Sequence, residues 1–148
     1  MTELNYKRIG IYLLGLLILG CGIDLNTKTQ LGVSPIISVA YNIAYLTHIP
    51  IGVMTFIYYV LLVIIQWILL GKKFDYFQFL QIPASLVTSF FIQLFDGVIP
   101  VASRFPARIV MLILAIAITG IGASLTVGMK IVPNPADGLA SVIGEKCH

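Results

Sequence analysis

The sequence predicts an all-α fold, a polytopic transmembrane helix bundle with an internal repeat of about 100 residues and short broken helices. Three observations predict it. The composition is too apolar for a water-facing surface, long apolar runs recur along the chain, and the chain resembles itself at a spacing of 100 positions.

The composition predicts a membrane protein. Hydrophobic residues make up 59% of the 148 residues and charged residues only 10%, and the mean hydropathy is +1.01. Soluble domains carry roughly a quarter charged residues, so we expect the lipid bilayer to be the main partner of this chain. Nucleic acid is not expected as a partner, because the sequence has no basic run with interleaved aromatic residues.

Apolar runs define the predicted helices. Four runs are predicted to be membrane spans, at residues 9–25, 51–70, 82–101 and 109–128. The first is short, since about 15 residues rise only about 22 Å against a hydrocarbon core of ~30 Å. Two further segments, residues 35–47 and one from about residue 136, have the length expected of re-entrant or interfacial helices.

The internal repeat organises the chain. Residues 8–43 align without a gap on residues 108–143, with identity at ten of the 36 positions. The recurring residues include Gly20, Gly22 and Pro35, which match Gly120, Gly122 and Pro135. Because self-similarity indicates repeated architecture, residues 1–106 are predicted to form a first repeat and residues 107–148 the start of a second. We expect the second repeat to be truncated, and the chain to be a fragment.

The distribution of basic residues does not decide whether the two repeats are inverted or parallel. If the segment 35–47 does not cross the membrane, the eight basic residues up to Lys130 divide five to three between the two sides, and the repeats are inverted. If it crosses, they divide four to four, and the repeats are parallel. The preference of basic residues for the cytoplasm favours the first arrangement, whereas the recurrence of Arg8 as Arg108 favours the second.

The two helix breaks predict a binding site. Discontinuous membrane helices expose unpaired backbone groups and the positive ends of helix dipoles. Short helices that begin near Pro35 and Pro135 are therefore expected to point at a common small polar or anionic solute. The alternative is that both helices are interfacial and bind nothing. The candidate substrate-binding residues flank the breaks and are Asp24, Asn26, Thr27, Ser34, Asn134 and Asp137.

Asp24 has two interpretations. A carboxylate in a membrane segment is costly and faces a cavity, a partner charge or the interface. Either Asp24, Asn26 and Thr27 line a polar pocket where the helix unwinds, or the helix ends in water there.

A polar stripe marks one face of the segment 82–101. Ser85, Ser89, Gln93 and Asp96 are spaced to share a helical face and are candidate pathway-lining residues. The alternative is hydrogen bonding between helices, which contributes little more than about 1 kcal/mol per contact.

No enzyme chemistry is predicted. The sequence lacks the GxSxG and HExxH motifs and a phosphate-binding loop. Cys21 and Cys147 lack the spacing of a metal site or a disulfide framework. We therefore expect no catalytic residues, no metal ligands and no cofactor.

A resemblance to a known family rests on glycines, prolines and hydropathy. The stretches that carry it are Gly20-x-Gly22-x-x-Leu25, Leu31-Gly32-x-x-Pro35, Ile51-Gly52, Gly71-Lys72-Lys73 and Pro133-Asn134-Pro135-Ala136-Asp137-Gly138-Leu139. The sequence resembles YczE/YyaS/YitT-type bacterial membrane proteins. Members often have an aromatic residue and an acid after the first proline, where this chain has Ile36-Ile37, so only Asp137 matches. The resemblance implies a longer, multi-pass protein of the bacterial plasma (inner) membrane, from a family whose activity is largely unassigned.

Two functions are therefore expected to compete. The first is a small-solute transporter or channel-like protein with a polar site at the broken helices. The second is a non-transporting accessory or scaffold protein that binds or regulates a membrane protein partner, or forms a homo-oligomer. It would use the helix faces at Gly10, Gly15, Gly20, Gly22 and Gly120.

Overall fold

A computed structural model describes residues 6–146. Within that range the chain is all-helical, as predicted, without a β-strand. The helices are α1 (Tyr6–Lys28), α2 (Pro35–Thr47), α3 (Ile51–Leu70), α4 (Gln81–Asp96), α5 (Phe105–Gly128) and α6 (Pro135–Lys146). Two 3-10 turns, Gly71–Lys73 and Tyr76–Leu80, join α3 to α4. By length and composition, α1, α3, α5 and α4 with its preceding turn are long and apolar enough to cross a membrane.

Helix α1 extends three residues beyond each end of the predicted run 9–25. The helix continues through its polar residues, and the Thr27 hydroxyl is satisfied inside it, because Thr27 Oγ1 donates to Asp24 O at 2.7 Å. The helix stops after Lys28, and Gln30 then adopts a left-handed φ of 55°. Both interpretations of Asp24 were therefore wrong about the helix, which neither unwinds nor ends there.

Helix α4 is shorter than the predicted span 82–101. It ends at Asp96, and the backbone N–H groups of Val98 and Ile99 both donate to Phe95 O in a closing turn. Pro100 cannot continue the ladder because it has no N–H group. The last residues of the predicted span are thus a connector rather than helix.

Helices α1 and α5 pack antiparallel at short range. Gly15 lies against Thr126, and Gly22 lies against Thr119, so position numbers rise along one helix as they fall along the other. Gly122 faces the α1 backbone so closely that an added Cβ would lie 2.5 Å from a backbone nitrogen. Small residues at these positions let the two backbones approach.

At each end of the α1–α5 pair, an arginine side chain connects the two helices. At one end Arg8 Nη2 donates to Met129 O at 2.6 Å. At the other end Arg108 Nη2 donates to Gln30 Oε1 at 2.9 Å. Each arginine lies near the start of one helix and binds the segment that follows the other helix.

Helix α4 lies parallel to α1 and antiparallel to α3. Gly20 of α1 lies against Phe91 of α4. Further along both helices, at their C-terminal ends, Lys28 pairs with Asp96. Gly52, at the start of α3, lies against Gln93 near the end of α4. The four long helices therefore alternate in direction along the chain.

Helix α2 begins at mid-height of the bundle. Ile37 in its first turn lines the same cavity as Tyr59, in the middle of α3. Its C-terminal end, at His48, shares a groove with Ile51, the first residue of α3. The chain thus leaves α1, turns back into the bundle, and returns along α2 to the same end.

Helix α6 follows the same course from the opposite end. Gly138 in its first turn lies against the side chain of Gln66 of α3, and Val142 shares a groove with Leu70 at the end of α3. The first turns of α2 and α6 therefore approach each other from opposite ends of the bundle.

The close α1–α5 contact predicts a large effect of one methyl group. Gly122→Ala should lower the free energy of unfolding by about 1–3 kcal/mol, because the new Cβ meets backbone that cannot rotate away. Gly120→Ala on the same helix is the matched control, since nothing lies within 4 Å of its added Cβ. Equilibrium unfolding of both variants in detergent with increasing SDS measures the difference, and equal stability of the two variants would contradict the packing.

Candidate functional site

A cavity lies between the first turns of α2 and α6. Its volume is about 400 Å³, within the range of small-molecule pockets. Residues of α1, α2, α3, α5 and α6 contribute to its wall. The wall is mostly apolar, and its polar side chains are Asn26, Ser34, Tyr59, Thr119, Asn134 and Asp137.

The structure brings four of the six predicted substrate-binding residues together. Asn26, Ser34, Asn134 and Asp137 all line the cavity. Ser34 and Asn134 each precede the proline that starts a short helix. The other two predicted residues, Asp24 and Thr27, are buried elsewhere.

Three polar atoms at this cavity lack partners. Tyr59 OH, Asn26 Oδ1 and Asn134 Oδ1 are buried without a hydrogen bond. Tyr59 has none of its surface exposed and faces the Asn134 side chain, yet neither oxygen completes a bond. An unpaired buried hydroxyl or amide costs about 1–3 kcal/mol in proteins. Three such atoms lie unpaired and buried beside the wall of the cavity.

The cavity is close to neutral. Two helix N-termini face it, each equivalent to roughly half a positive charge. Asp137 adds one carboxyl group in the first turn of α6, and no lysine or arginine is among the described lining residues. These charges nearly cancel when the carboxyl is ionised. The wall therefore suits a small neutral molecule that both donates and accepts hydrogen bonds better than it suits an anion.

Two buried glutamines fix the start of α6. Gln66 of α3 and Gln81 of α4 exchange Nε2–Oε1 hydrogen bonds of 3.2 Å. Gln66 Nε2 also donates to Pro135 O at 2.9 Å. A Cβ at Gly138 would lie 2.8 Å from Gln66 Oε1, so glycine lets the first turn of α6 sit against the amide pair.

Four of these residues, Gln66, Gln81, Tyr59 and Thr119, were not among the predicted site residues. Gln66 carried a usable signal, because a lone amide in an otherwise apolar 20-residue helix needs a partner. Gln81 lies at the start of a predicted helix, where a polar side chain is ordinary and does not indicate a buried partner. Tyr59 carried no signal, because Tyr58 beside it has the same chemistry and only helical rotation decides which ring faces the cavity.

Asp24 and Thr27 lie where α1 packs against α4. Gly20, one turn earlier, lies against α4, and Lys28, one turn later, pairs with Asp96 at the end of α4. Asp24 has none of its surface exposed. This carboxyl therefore belongs to a helix interface and not to the cavity.

The predicted pathway stripe also packs within the bundle. Ser85 Oγ donates to a carbonyl of its own helix at 2.8 Å, and Ser89 is buried with an unpartnered hydroxyl. Gln93 Oε1 accepts a hydrogen bond from Gly52 N at 3.0 Å, and Asp96 pairs with the lysine that ends α1. None of the four residues lines the cavity. Their contacts are the helix–helix and local hydrogen bonds of the alternative interpretation.

Metal ligands are not clustered in the described part of the chain. Among residues 6–146, no three His, Cys, Asp or Glu side chains are grouped so as to hold a metal ion. Cys21 is a free thiol, and Cys147 lies outside the described residues.

Comparison with known proteins gives one match. No curated protein and no solved structure matched the chain. The resemblance to YczE/YyaS/YitT-type proteins stays a prediction, because no named relative supports it. A family model does match residues 6–148, almost the whole chain. The protein therefore belongs to the family of unknown function DUF6198.

Proposed function

We propose that this is a multi-pass protein of the bacterial plasma membrane that carries a small polar solute, as a transporter or channel-like protein. The observation that carries the proposal is the cavity, where two helix N-termini meet three unpartnered polar atoms. Irregular backbone at membrane depth is tolerated only where protein buries it or where it lines a cavity. Breaks that surround an open space favour solute binding over a purely structural turn.

The ends of α1 and α5 support an inverted repeat. Gln30 and Lys130, 100 positions apart, follow the two helices with left-handed φ angles of 55° and 49°. Arg8 and Arg108, also 100 positions apart, each donate across the antiparallel pair to the segment that follows the other helix, Arg8 to Met129 O and Arg108 to Gln30 Oε1. In secondary transporters, inverted repeats place the substrate site at the midplane between broken helices, and the cavity has that position in this bundle.

The scaffold hypothesis has weaker support. Gly15 and Gly22 pack against α5, and Gly20 packs against α4 of the same chain. Those surfaces are not available to the helices of another protein. Gly10 and Gly120 remain open, since nothing lies within 4 Å of an added Cβ at either, and a homo-oligomer or membrane partner would use these two.

The cavity amides are expected to control flux. Replacing Asn26 and Asn134 together by leucine should lower flux about tenfold or more, because each hydrogen bond to the solute contributes about 1 kcal/mol. The measurement is the swelling rate of reconstituted vesicles in glycerol and in urea, with ammonium and phosphate as charged probes. Ser89→Ala is the control, since it removes a buried unpartnered hydroxyl outside the cavity. Wild-type vesicles that swell no faster than protein-free vesicles in every probe would contradict the proposal.

Tyr59→Phe should separate binding from stability. It removes an unpartnered hydroxyl, so the free energy of unfolding should stay the same or rise by up to about 1 kcal/mol, while glycerol or urea flux falls. Tyr58→Phe is the matched control and should leave flux unchanged. Loss of stability in Tyr59→Phe with unchanged flux would instead assign the hydroxyl a structural role.

Cysteine labelling is expected to show the inverted arrangement. In a background of Cys21→Ser and Cys147→Ser, Lys72→Cys should react with an impermeant thiol reagent from one side of the membrane and Gln30→Cys, at an exposed position just after α1, from the other. The Lys72 side should be cytoplasmic, because Arg8, Lys73 and Lys130 lie at the same end of the bundle. Labelling of both cysteines from the same side would contradict the topology.

A further inference from the structure

The carboxyl group of Asp24 lacks an adequate partner. Its residue has none of its surface exposed, and Oδ2 makes no hydrogen bond. Oδ1 has a single contact, from Thr27 Oγ1 at the long distance of 3.5 Å. An isolated ionised carboxylate in an apolar environment costs far more than the neutral acid. In this position Asp24 needs either a cation or a proton.

The nearest cation is engaged elsewhere. Lys28 Nζ lies 2.6 Å from Asp96 Oδ1 and also donates to Asp96 O at 3.1 Å. Lys28 is nevertheless one helical turn from Asp24 on the same face of α1, within reach of either carboxylate. Two carboxyl groups therefore share one lysine.

Few other titratable groups face Asp24. Cys21 of its own helix is close enough to interact with it, and Asp96 faces it from the end of α4. Arg108 of α5, at the same end of the bundle, is bonded to Ala102 O and to the Gln30 side chain. Among the residues that the structure describes, no second lysine or arginine is therefore in place to neutralise Asp24.

We propose that Asp24 is a proton-binding site in which the proton and Lys28 exchange places. While Asp24 is protonated, Lys28 pairs with Asp96, which is the pairing in the structure. When Asp24 releases its proton to water at the Asp96 end, where that side chain is 35% exposed, Lys28 turns back to the Asp24 carboxylate. The group of three side chains then changes from net zero to one negative charge, and one proton has passed to bulk water.

This exchange acts on the packing of the bundle. Two polar contacts connect the last turn of α4 to its neighbours. Gln93 accepts a hydrogen bond from the Gly52 N–H of α3, and Asp96 forms an ion pair with Lys28 of α1. Release of Lys28 from Asp96 removes the ion pair between α1 and α4. This consequence rests on the proposed function: if the protein carries a solute, the loosened α1–α4 contact couples its passage to the proton gradient.

Infrared difference spectroscopy tests the proton site without any solute. Purified protein in lipid nanodiscs is titrated from acid to alkaline pH, and we expect the carbonyl stretch of a protonated carboxyl to persist to a higher pH than that of an exposed aspartic acid and then to disappear. Asp24→Asn, which resembles the neutral acid in shape, should remove the band, whereas Asp137→Asn should keep it. Absence of the band in the wild type, or its survival in Asp24→Asn, would overturn the proposal.

A second variant tests the exchange itself and does not depend on Asp24→Asn folding. Lys28→Met keeps Asp24 but removes the cation that stabilises its carboxylate. The band should persist into medium more alkaline by about one pH unit or more. A titration identical to that of the wild type would show that Lys28 takes no part.

Gradient-driven flux separates the two proposals. In vesicles that swell in glycerol or urea, an imposed proton gradient should change the flux, and Asp24→Asn should abolish that change. Stimulation by a sodium gradient in place of a proton gradient would overturn the choice of ion. Because the infrared titration needs no solute, absence of flux counts against the transport function alone, and absence of the band counts against the proton site alone.

Discussion

Satisfying the backbone at two helix breaks inside an apolar bundle is the constraint on which this structure depends. Lipid offers no hydrogen bonds, so broken helices must be surrounded by protein. Proline at each break lowers the number of backbone N–H groups that need an acceptor, because Pro35 and Pro135 have no N–H group at the first helical position. Ser34 O accepts the N–H groups of Ile37 and Ser38, and Gln66 binds Pro135 O. Beside the breaks, the side-chain oxygens of Asn26, Tyr59 and Asn134 remain unpaired at the cavity.

Close helix packing makes this enclosure possible. Five helices contribute to the cavity wall, and the three long ones have to approach closely around the two short ones. Gly22 and Gly122 let α1 and α5 touch through their backbones, and Gly138 lets α6 rest on the Gln66–Gln81 pair. Glycine at these three positions is therefore needed for approach between helices. The same contacts occupy surfaces that a scaffold protein would have needed for its partner.

The sequence predicted features that a few neighbouring residues determine, and missed those set by the distant partners of a side chain. Proline and glycine act locally, so the all-helical fold and the starts of both short helices followed from the pattern. The amide of Gln66 has its partner 69 positions away at Pro135, which no local pattern encodes. Likewise α1 passes through its polar residues because the Thr27 hydroxyl is satisfied inside the helix. The internal repeat stays a prediction.

Helical rotation explains why two neighbouring candidates in α1 separate. Asp24 and Asn26 are two positions apart, which is about 200° around an α-helix. Asn26 therefore lines the cavity, while Asp24 faces α4 with Lys28 on the next turn. One helix thus forms a wall of the cavity and a wall of the proposed proton site. A rigid helix cannot shift against α4 without also moving Asn26, so a change in the Lys28–Asp96 pair reaches the cavity through α1 itself, with no intervening chain of residues.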